Sequence, residues 1–354
     1  MLLVYEPAAG GHHLVYLQYI LEGAAARNLD VRLVTSEALK ESPHFVERLG
    51  AFGVPMDTVM ASPPAAGLGG LRHHVRALRR AVRKHQPADV LIPYLDGLLY
   101  ALPLLPRGPR YHGILFSPTP FTHPQKRHLA RLSLALRRVA SLHHLDAHLV
   151  QDVGHRKLHW LADPVPANPP QPHVREGLGV DPSRRMVLVA GVLTRRKGVA
   201  ELLRAASDPG WPSNVDLVLV GRPDDEVRAL LERPQPAHVV SRNEHVSDDD
   251  FARWFQAADV VAATYPTYLG SSGIVLNAAA AGTPLLVLAR GWIGRAVQEN
   301  GLGVAVPDLE PASVLRGLER SLAMAVDPMW EPTPSFVAAH SVSAFQEQLF
   351  RYLA

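Results

Sequence analysis

The stretch Met186-Val-Leu-Val-Ala-Gly-Val-Leu-Thr-Arg-Arg-Lys-Gly-Val-Ala-Glu-Leu-Leu-Arg-Ala-Ala206 constrains the fold more than any other part of the chain. Met186–Ala190 is a continuous apolar run, the pattern of a parallel strand buried on both faces. Val199–Ala206 has the apolar spacing of a helix. A strand therefore ends, a glycine turn follows, and three cations stand where a helix begins. Helix N-termini offer free backbone N–H groups and a partial positive charge. Gly191, Arg195, Arg196 and Lys197 together read as a seat for a diphosphate. The alternative, a solvated basic turn, stays open on this stretch alone.

A chain of 354 residues exceeds what one core usually serves, so two domains are expected. Its 47% apolar and 19% charged content suits a globular protein and argues against disorder. With no cysteine, disulfides and thiolate chemistry are excluded. Met-Leu-Leu-Val-Tyr-Glu6 lacks the basic start of a signal peptide, and the apolar stretch Ile274–Ala289 is too short and too broken to span a bilayer. A soluble cytoplasmic protein is the expectation. The charge is uneven: residues 1–165 hold 19 Lys and Arg against 12 Asp and Glu, and residues 166–354 hold 17 against 21. An acidic partner for the first half follows, with peripheral contact at an anionic membrane as one form of it.

Strands are read at Leu2–Tyr5, Val31–Thr35, Val90–Pro93, Tyr111–Phe116 and Ala147–Val150, with helices at Leu14–Arg27, Leu71–Lys84 and Gln125–Ser141. This alternation predicts an α/β fold with doubly wound parallel sheets. Asp163–Pro182, with six prolines, reads as a stiff extended linker. Strands then follow at Met186–Ala190, Val215–Val220, Val239–Ser241, Val260–Ala263, Leu285–Leu288 and Val304–Val306. Val342–Leu353 reads as an amphipathic helix with Phe345, Leu349 and Leu353 on one face.

A second strand–loop–helix start lies at Asp259–Ala281. Ser271, Ser272, Gly273 and Ile274 can offer backbone N–H groups to a phosphate, and Asn277 stands one turn further, within reach of a ribose hydroxyl. Plain capping is the other reading of the two serines. Arg222, after Val220-Gly221, joins the candidate binding set. Ser247-Asp-Asp-Asp250 fits a helix cap better than a metal site, and no histidine pair forms a zinc set. In the first half, Gly10-Gly11-His12-His13 follows the opening strand as a glycine loop. His123, on the loop after Tyr111–Phe116, is a further candidate. The helix Leu71–Lys84 carries Arg72, Arg76, Arg79, Arg80, Arg83 and Lys84 around its apolar stripe; it is either a core helix with a solvated exterior or a contact for an anionic membrane or a phosphorylated acceptor.

Read in order, Gly191…Arg196-Lys197-Gly198, Val220-Gly221, Ala257-Ala-Asp259, Gly270-Ser-Ser-Gly-Ile-Val-Leu-Asn-Ala…Ala281-Gly-Thr-Pro284 and Gly301-Leu-Gly303 resemble the donor-binding half of GT-B glycosyltransferases, family 4 in particular. The resemblance is dense over residues 186–308. It implies two Rossmann-like domains facing a cleft: residues 1–165 on the acceptor side, 166–335 binding a nucleotide sugar, and a helix in 336–354 packing back on the first. It implies transfer of a hexose from a UDP or GDP sugar with retained configuration, no metal, and no cofactor beyond the donor. Lys197 and Arg196 would neutralise the leaving diphosphate, His123 would stand in for the histidine the family often has after this strand, and Gly10, Gly11 and His12 would face the donor. The acceptor is expected to be lipid-linked or a polysaccharide, and nucleic acid is not expected. The family's two glutamates, eight positions apart, fall on Leu269 and Asn277. An epimerase-like enzyme of the same fold and a non-catalytic nucleotide-binding homologue are the alternatives.

Overall fold

The computed structural model describes residues 1–8, 10, 12–64, 67–171, 173–243 and 246–353, with only the backbone at His12, Pro43, His44, Asp248 and Asp249. Contacts between Cα atoms divide it into two units, Met1–Ala162 with Val342–Ala354, and Asp163–Ser341.

The first unit is a seven-stranded parallel sheet of β1 (Leu2–Tyr5), β2 (Val31–Ser36), β3 (Met56–Met60), β4 (Asp89–Ile92), β5 (Arg110–Leu115), β6 (Val139–His144) and β7 (Leu158–Trp160), in the order β3-β2-β1-β4-β5-β6-β7. Its helices are α1 (His12–Ala25), α2 (Glu37–Lys40), α3 (Pro43–Leu49), α4 (Leu68–His85), α5 (Thr119–Thr122), α6 (Pro124–Ala135) and α7 (Ala147–Val153). Chain direction reverses at β1, and right-handed crossovers then put α1 and α3 on one face and α4, the 3-10 segment Leu99–Leu104 and α6 on the other. The buried side chains record this division. Leu3 and Tyr5 of β1 pack with Val75, Leu78 and Val82 of α4, with Leu99 and Leu102, and with Ala130 and Leu134 of α6. Leu2 and Val4 point the opposite way, to Leu17 and Ile20 of α1 and Phe45 of α3. A polar string crosses this sheet: Asp89 is held by Arg110, His112 joins Asp89 to Ser141, and Ser141 reaches His143.

Two expectations fail here. The helix read over Gln125–Ser141 ends at Ala135, and Val139–His144 is β6, buried between β5 and β7. Ala147–Val150 is no strand; it begins α7, because the Asp146 carboxylate accepts from the N–H groups of His148 and Leu149 and starts a helix.

The second unit has a six-stranded parallel sheet of β8 (Arg185–Ala190), β9 (Val215–Val220), β10 (Val239–Arg242), β11 (Val260–Ala263), β12 (Leu285–Leu288) and β13 (Gly303–Val306), in the order β10-β9-β8-β11-β12-β13. Its helices are α8 (Val174–Gly177), α9 (Val199–Ala206), α10 (Asp225–Leu231), α11 (Asp248–Ala257), α12 (Gly273–Ala280), α13 (Gly291–Glu299), α14 (Pro311–Met324) and α15 (Pro334–Ala339). The proline-rich segment is part of this unit rather than a free linker: Val165 and Val174 are core residues, and Arg175 ties α8 to the Asp259 carboxylate. Ser247 caps α11 by accepting from the Asp250 N–H. The last helix, α16 (Val342–Phe350), belongs to the first unit and packs on α1. Among the described residues no helix is long and apolar enough to cross a membrane.

Candidate functional site

In a parallel sheet, ligands meet the loops beyond the carboxyl ends of the strands where chain direction reverses. In the second unit that point lies between β8 and β11, so the loops Gly191–Gly198 and Thr264–Ser272 flank it. Gly198 has φ +75°, and a Cβ there would strike the Thr264 carbonyl; only glycine lets the two loops approach this closely. Gly191 has φ +89°, and a Cβ there would strike the Lys197 ammonium and touch Ile274. Lys197 is 8% exposed and donates to the Ala190 carbonyl. Burial, then the neighbouring Arg196, pushes its pKa down to about 8.

The three consecutive cations have separate fates. Arg195 pairs with Glu226 of α10 at 2.6 Å and leaves the candidate diphosphate seat. Arg196 lies over the Tyr268 ring, 5.0 Å from its centroid. Lys197 alone is drawn under the loop. Arg222 is exposed at the end of β9, its carbonyl holding the Leu193 N–H.

Neither serine caps α12. Ser271 Oγ donates to the Asp163 carboxylate, Ser272 Oγ lies 3.4 Å from the Tyr265 hydroxyl, and no side chain accepts from the helix start. The first turn of α12, Gly273 and Ile274 included, thus keeps its N–H groups free of side-chain caps beside the Gly191 turn. Thr194 and Thr264, one on each loop, bury hydroxyls with no hydrogen-bond partner. Asn277 turns its amide back on the Gly273 carbonyl at 2.8 Å. Leu269 is 38% exposed, and its backbone is pinned by the Trp292 N–H and backed by Gly291.

In the first unit, Gly10 has open space where a Cβ would sit, Gly11 lies outside the described residues, and His12 starts α1 with its side chain outside them. His123 is exposed at the junction of α5 and α6. The group that gathers beyond β1, β4 and β5 is different. His13 Nδ1 stands 3.0 Å from the buried Glu6 carboxylate, and its ring stacks on Tyr94, which stacks on Phe116, at 3.7 and 4.2 Å. Asp96 accepts from the N–H groups of Phe116 and Ser117 at 2.9 and 2.8 Å, and burial raises its pKa. Sequence reading missed Glu6, Tyr94, Asp96 and Phe116. The available signal was position, since each lies within four residues of the end of a parallel strand.

The profile of the family described as Glycosyl transferases group 1 matches residues 184–323, the stretch that carries both loops. An uncharacterised glycosyltransferase of Methanocaldococcus jannaschii is 32% identical over 42% of this chain and 38% of its own length. A D-inositol 3-phosphate glycosyltransferase of Arthrobacter is 25% identical over 84% of this chain and 78% of its own. In fold, the chain is similar to sucrose-phosphate synthase of Thermosynechococcus elongatus, with a TM-score of 0.77 at 17% identity over 99% of this chain and 98% of that one. Anabaena HepE in complex with UDP and glucose gives 0.70 at 16%, again over 99% and 98%.

The chain has the GT-B fold, and its residues 184–323 match the group 1 glycosyl transferases.

The group 1 glycosyl transferases are transferase enzymes, and two parallel-sheet α/β units are the GT-B architecture. Leu269 and Asn277, the positions where the sequence resemblance puts the family's two glutamates, are an exposed apolar side chain and a neutral amide. The coverage also differs between relatives: the chain spans 38% of the archaeal relative and 78% of the actinobacterial one.

Proposed function

We propose that the chain moves a hexose from a nucleotide-diphosphate sugar to an acceptor, with retained configuration and without a metal. The observation that carries this is the convergence of Lys197, the Gly191 turn and the uncapped start of α12 beyond β8 and β11. A diphosphate seated there meets backbone N–H groups and two cations, Lys197 and Arg196. Negative charge grows on that diphosphate as the glycosidic bond breaks, so fixed cations lower the barrier. Asn277 keeps one face of its amide for a ribose hydroxyl while Nδ2 holds Gly273. UDP is the first donor to try, since HepE was crystallised with UDP and glucose, and GDP sugars the second. The relatives named for D-inositol 3-phosphate favour an anionic acceptor, lipid-linked or a polysaccharide, which agrees with the basic first half. We place the reaction in the cytoplasm, at a membrane face.

Release of nucleotide from a panel of UDP and GDP sugars, with EDTA present, tests the reading. Turnover that survives EDTA and is lost in Lys197→Ala supports it. The missing carboxylates favour one second reading, a nucleotide-binding homologue without turnover. Tight UDP binding with no release from any donor would select that reading.

A further inference from the structure

The first unit carries its exposed apolar side chains and its excess charge on the same layer. Of its five large hydrophobics exposed among the described residues, four lie on the α4 and α6 face: Leu68 at 78%, Leu104 at 53%, Leu129 at 53% and Leu132 at 59%. Leu68 opens α4, Leu104 ends the 3-10 segment, and Leu129 and Leu132 stand at i and i+3 on α6. The fifth, Val46, is on the opposite layer. Residues 68–138 hold 13 Lys and Arg against two acids, Asp89 and Asp96. Asp89 is spent on Arg110 and His112, Asp96 is held by two backbone N–H groups, and Asp57 pairs with Lys84 at 2.9 Å, so the surface charge of this layer is carried by the remaining arginines and lysines. Arg76, Arg79, Arg80, Arg83 and Lys84 rim one open groove of about 570 Å³ on α4. Lys126, Arg127 and Arg131 flank the two leucines of α6, all exposed. Arg79 donates twice to the Leu104 carbonyl, which fastens the 3-10 segment to α4 and keeps the layer continuous.

Cations alone fit any polyanion. Cations set around protruding leucines fit a surface that is anionic outside and apolar a few ångströms below. We propose that this layer docks the protein on an anionic lipid bilayer, with Leu129 and Leu132 inserted at the headgroup boundary and the α4 arginines on lipid phosphates. The proposal gives the membrane placement above a defined surface, and it does not depend on the donor chemistry. The occupants it rejects are a nucleic acid or an anionic polysaccharide, which make no use of the leucines.

The test is co-sedimentation of the full chain with vesicles of phosphatidylcholine, with and without phosphatidylglycerol, beside retention on heparin. The wild type sediments with the anionic vesicles only, and added salt weakens but does not abolish it. Arg76→Gln/Arg80→Gln/Arg83→Gln lowers vesicle partition about a hundredfold, each cation near an anionic surface contributing about a fivefold factor, and also lowers heparin retention. Leu129→Ser/Leu132→Ser lowers vesicle partition by about tenfold or more and leaves heparin retention unchanged. Far-UV circular dichroism and limited proteolysis of residues 1–162, measured on the same samples, show whether each variant's first unit is folded, and UDP binding by the second unit separates failure here from failure of the donor reading. Equal sedimentation with neutral and anionic vesicles, or a leucine variant that binds like the wild type, overturns the proposal in favour of none or a soluble polyanion.

Discussion

At the scale of single residues, Lys197 carries the most. Its ammonium is buried and spends its charge on one carbonyl, so it is poised to gain a better partner. Lys197→Ala is expected to weaken binding of a nucleoside diphosphate by about 1.5–3 kcal/mol and of the nucleoside hardly at all, as calorimetry on both ligands would show. With the free-state pKa near 8, the free lysine is increasingly neutral above that pH while the bound one keeps its proton. Diphosphate affinity is therefore flat below pH 8 and falls about tenfold per unit above it, with proton uptake on binding there. Affinity flat to pH 10 would detach Lys197 from the ligand. Leu269 and Asn277 make the other pair. Asn277→Ala should cost about 0.5–1.5 kcal/mol of nucleotide affinity, one neutral hydrogen bond. Leu269→Glu puts a carboxylate back at a half-exposed point of the loop; restored or broadened donor use indicates an ordinary sugar position, and lower diphosphate affinity indicates a loop rebuilt around Ser271 and Ser272. The run Arg195-Arg196-Lys197 was legible as basic, but the separate fates of its members were not. Arg195 is removed by Glu226, an acid 31 positions away that only the packing of α10 brings near.

Elements follow local rules until a neighbour in space overrides them. In the second unit the strands and the loops of the candidate site were readable because β8 from Met186, β11 and β12 are uninterrupted apolar runs, and β8 and β9 run straight into Gly191 and Gly221. Between residues 125 and 150 the same reasoning went astray. Leu129, Leu132, Leu136 and Val139, three or four apart, continue a plausible helical stripe, yet the sheet has a place for β6 there and claims it. The decisive local signal was Asp146, whose carboxylate caps α7. Asp146→Ala should lower stability by about 1 kcal/mol, read as the urea midpoint of the first unit. β6 also makes an acid-sensitive element. His143 is fully buried, and burial, then His159 and His112, pushes its pKa down to about 3. Below the ordinary value of about 6.5 the unfolded chain takes up a proton that the folded strand refuses, so stability is lost as pH falls from 6.5 towards 3. His143→Gln removes that titration, and its melting temperature should fall less than the wild type's between pH 6.5 and 4.5. Parallel curves would place the acid sensitivity elsewhere.

For the whole molecule, the informative fact is that the chain ends in the unit where it began. Residues 163–341 form one unit with its own cores, and α16 then completes the other. Its apolar face was readable in the spacing of Phe345, Leu349 and Leu353; that this face serves α1 is a matter of packing. Phe345 and Leu349 are fully buried there, and Phe350 lies against Gly23, where even a Cβ would collide with its ring. Gln346 donates to the Tyr19 carbonyl, and Gln348 accepts the Ala162 N–H. Three buried side chains at about 1.5–3 kcal/mol each amount to most of the stability an ordinary domain has. Deleting residues 342–354 should therefore unfold the first unit while the second persists, despite the cut lying next to the second in sequence. Limited proteolysis would degrade residues 1–162 and leave a core near 163–341, and calorimetry would lose one of two transitions. UDP would still protect the surviving fragment, because Lys197, the Gly191 turn and the start of α12 all lie within it. If both units melted together, or if the fragment no longer responded to UDP, the two would form a single cooperative block and the donor loops would need the first unit to hold their shape.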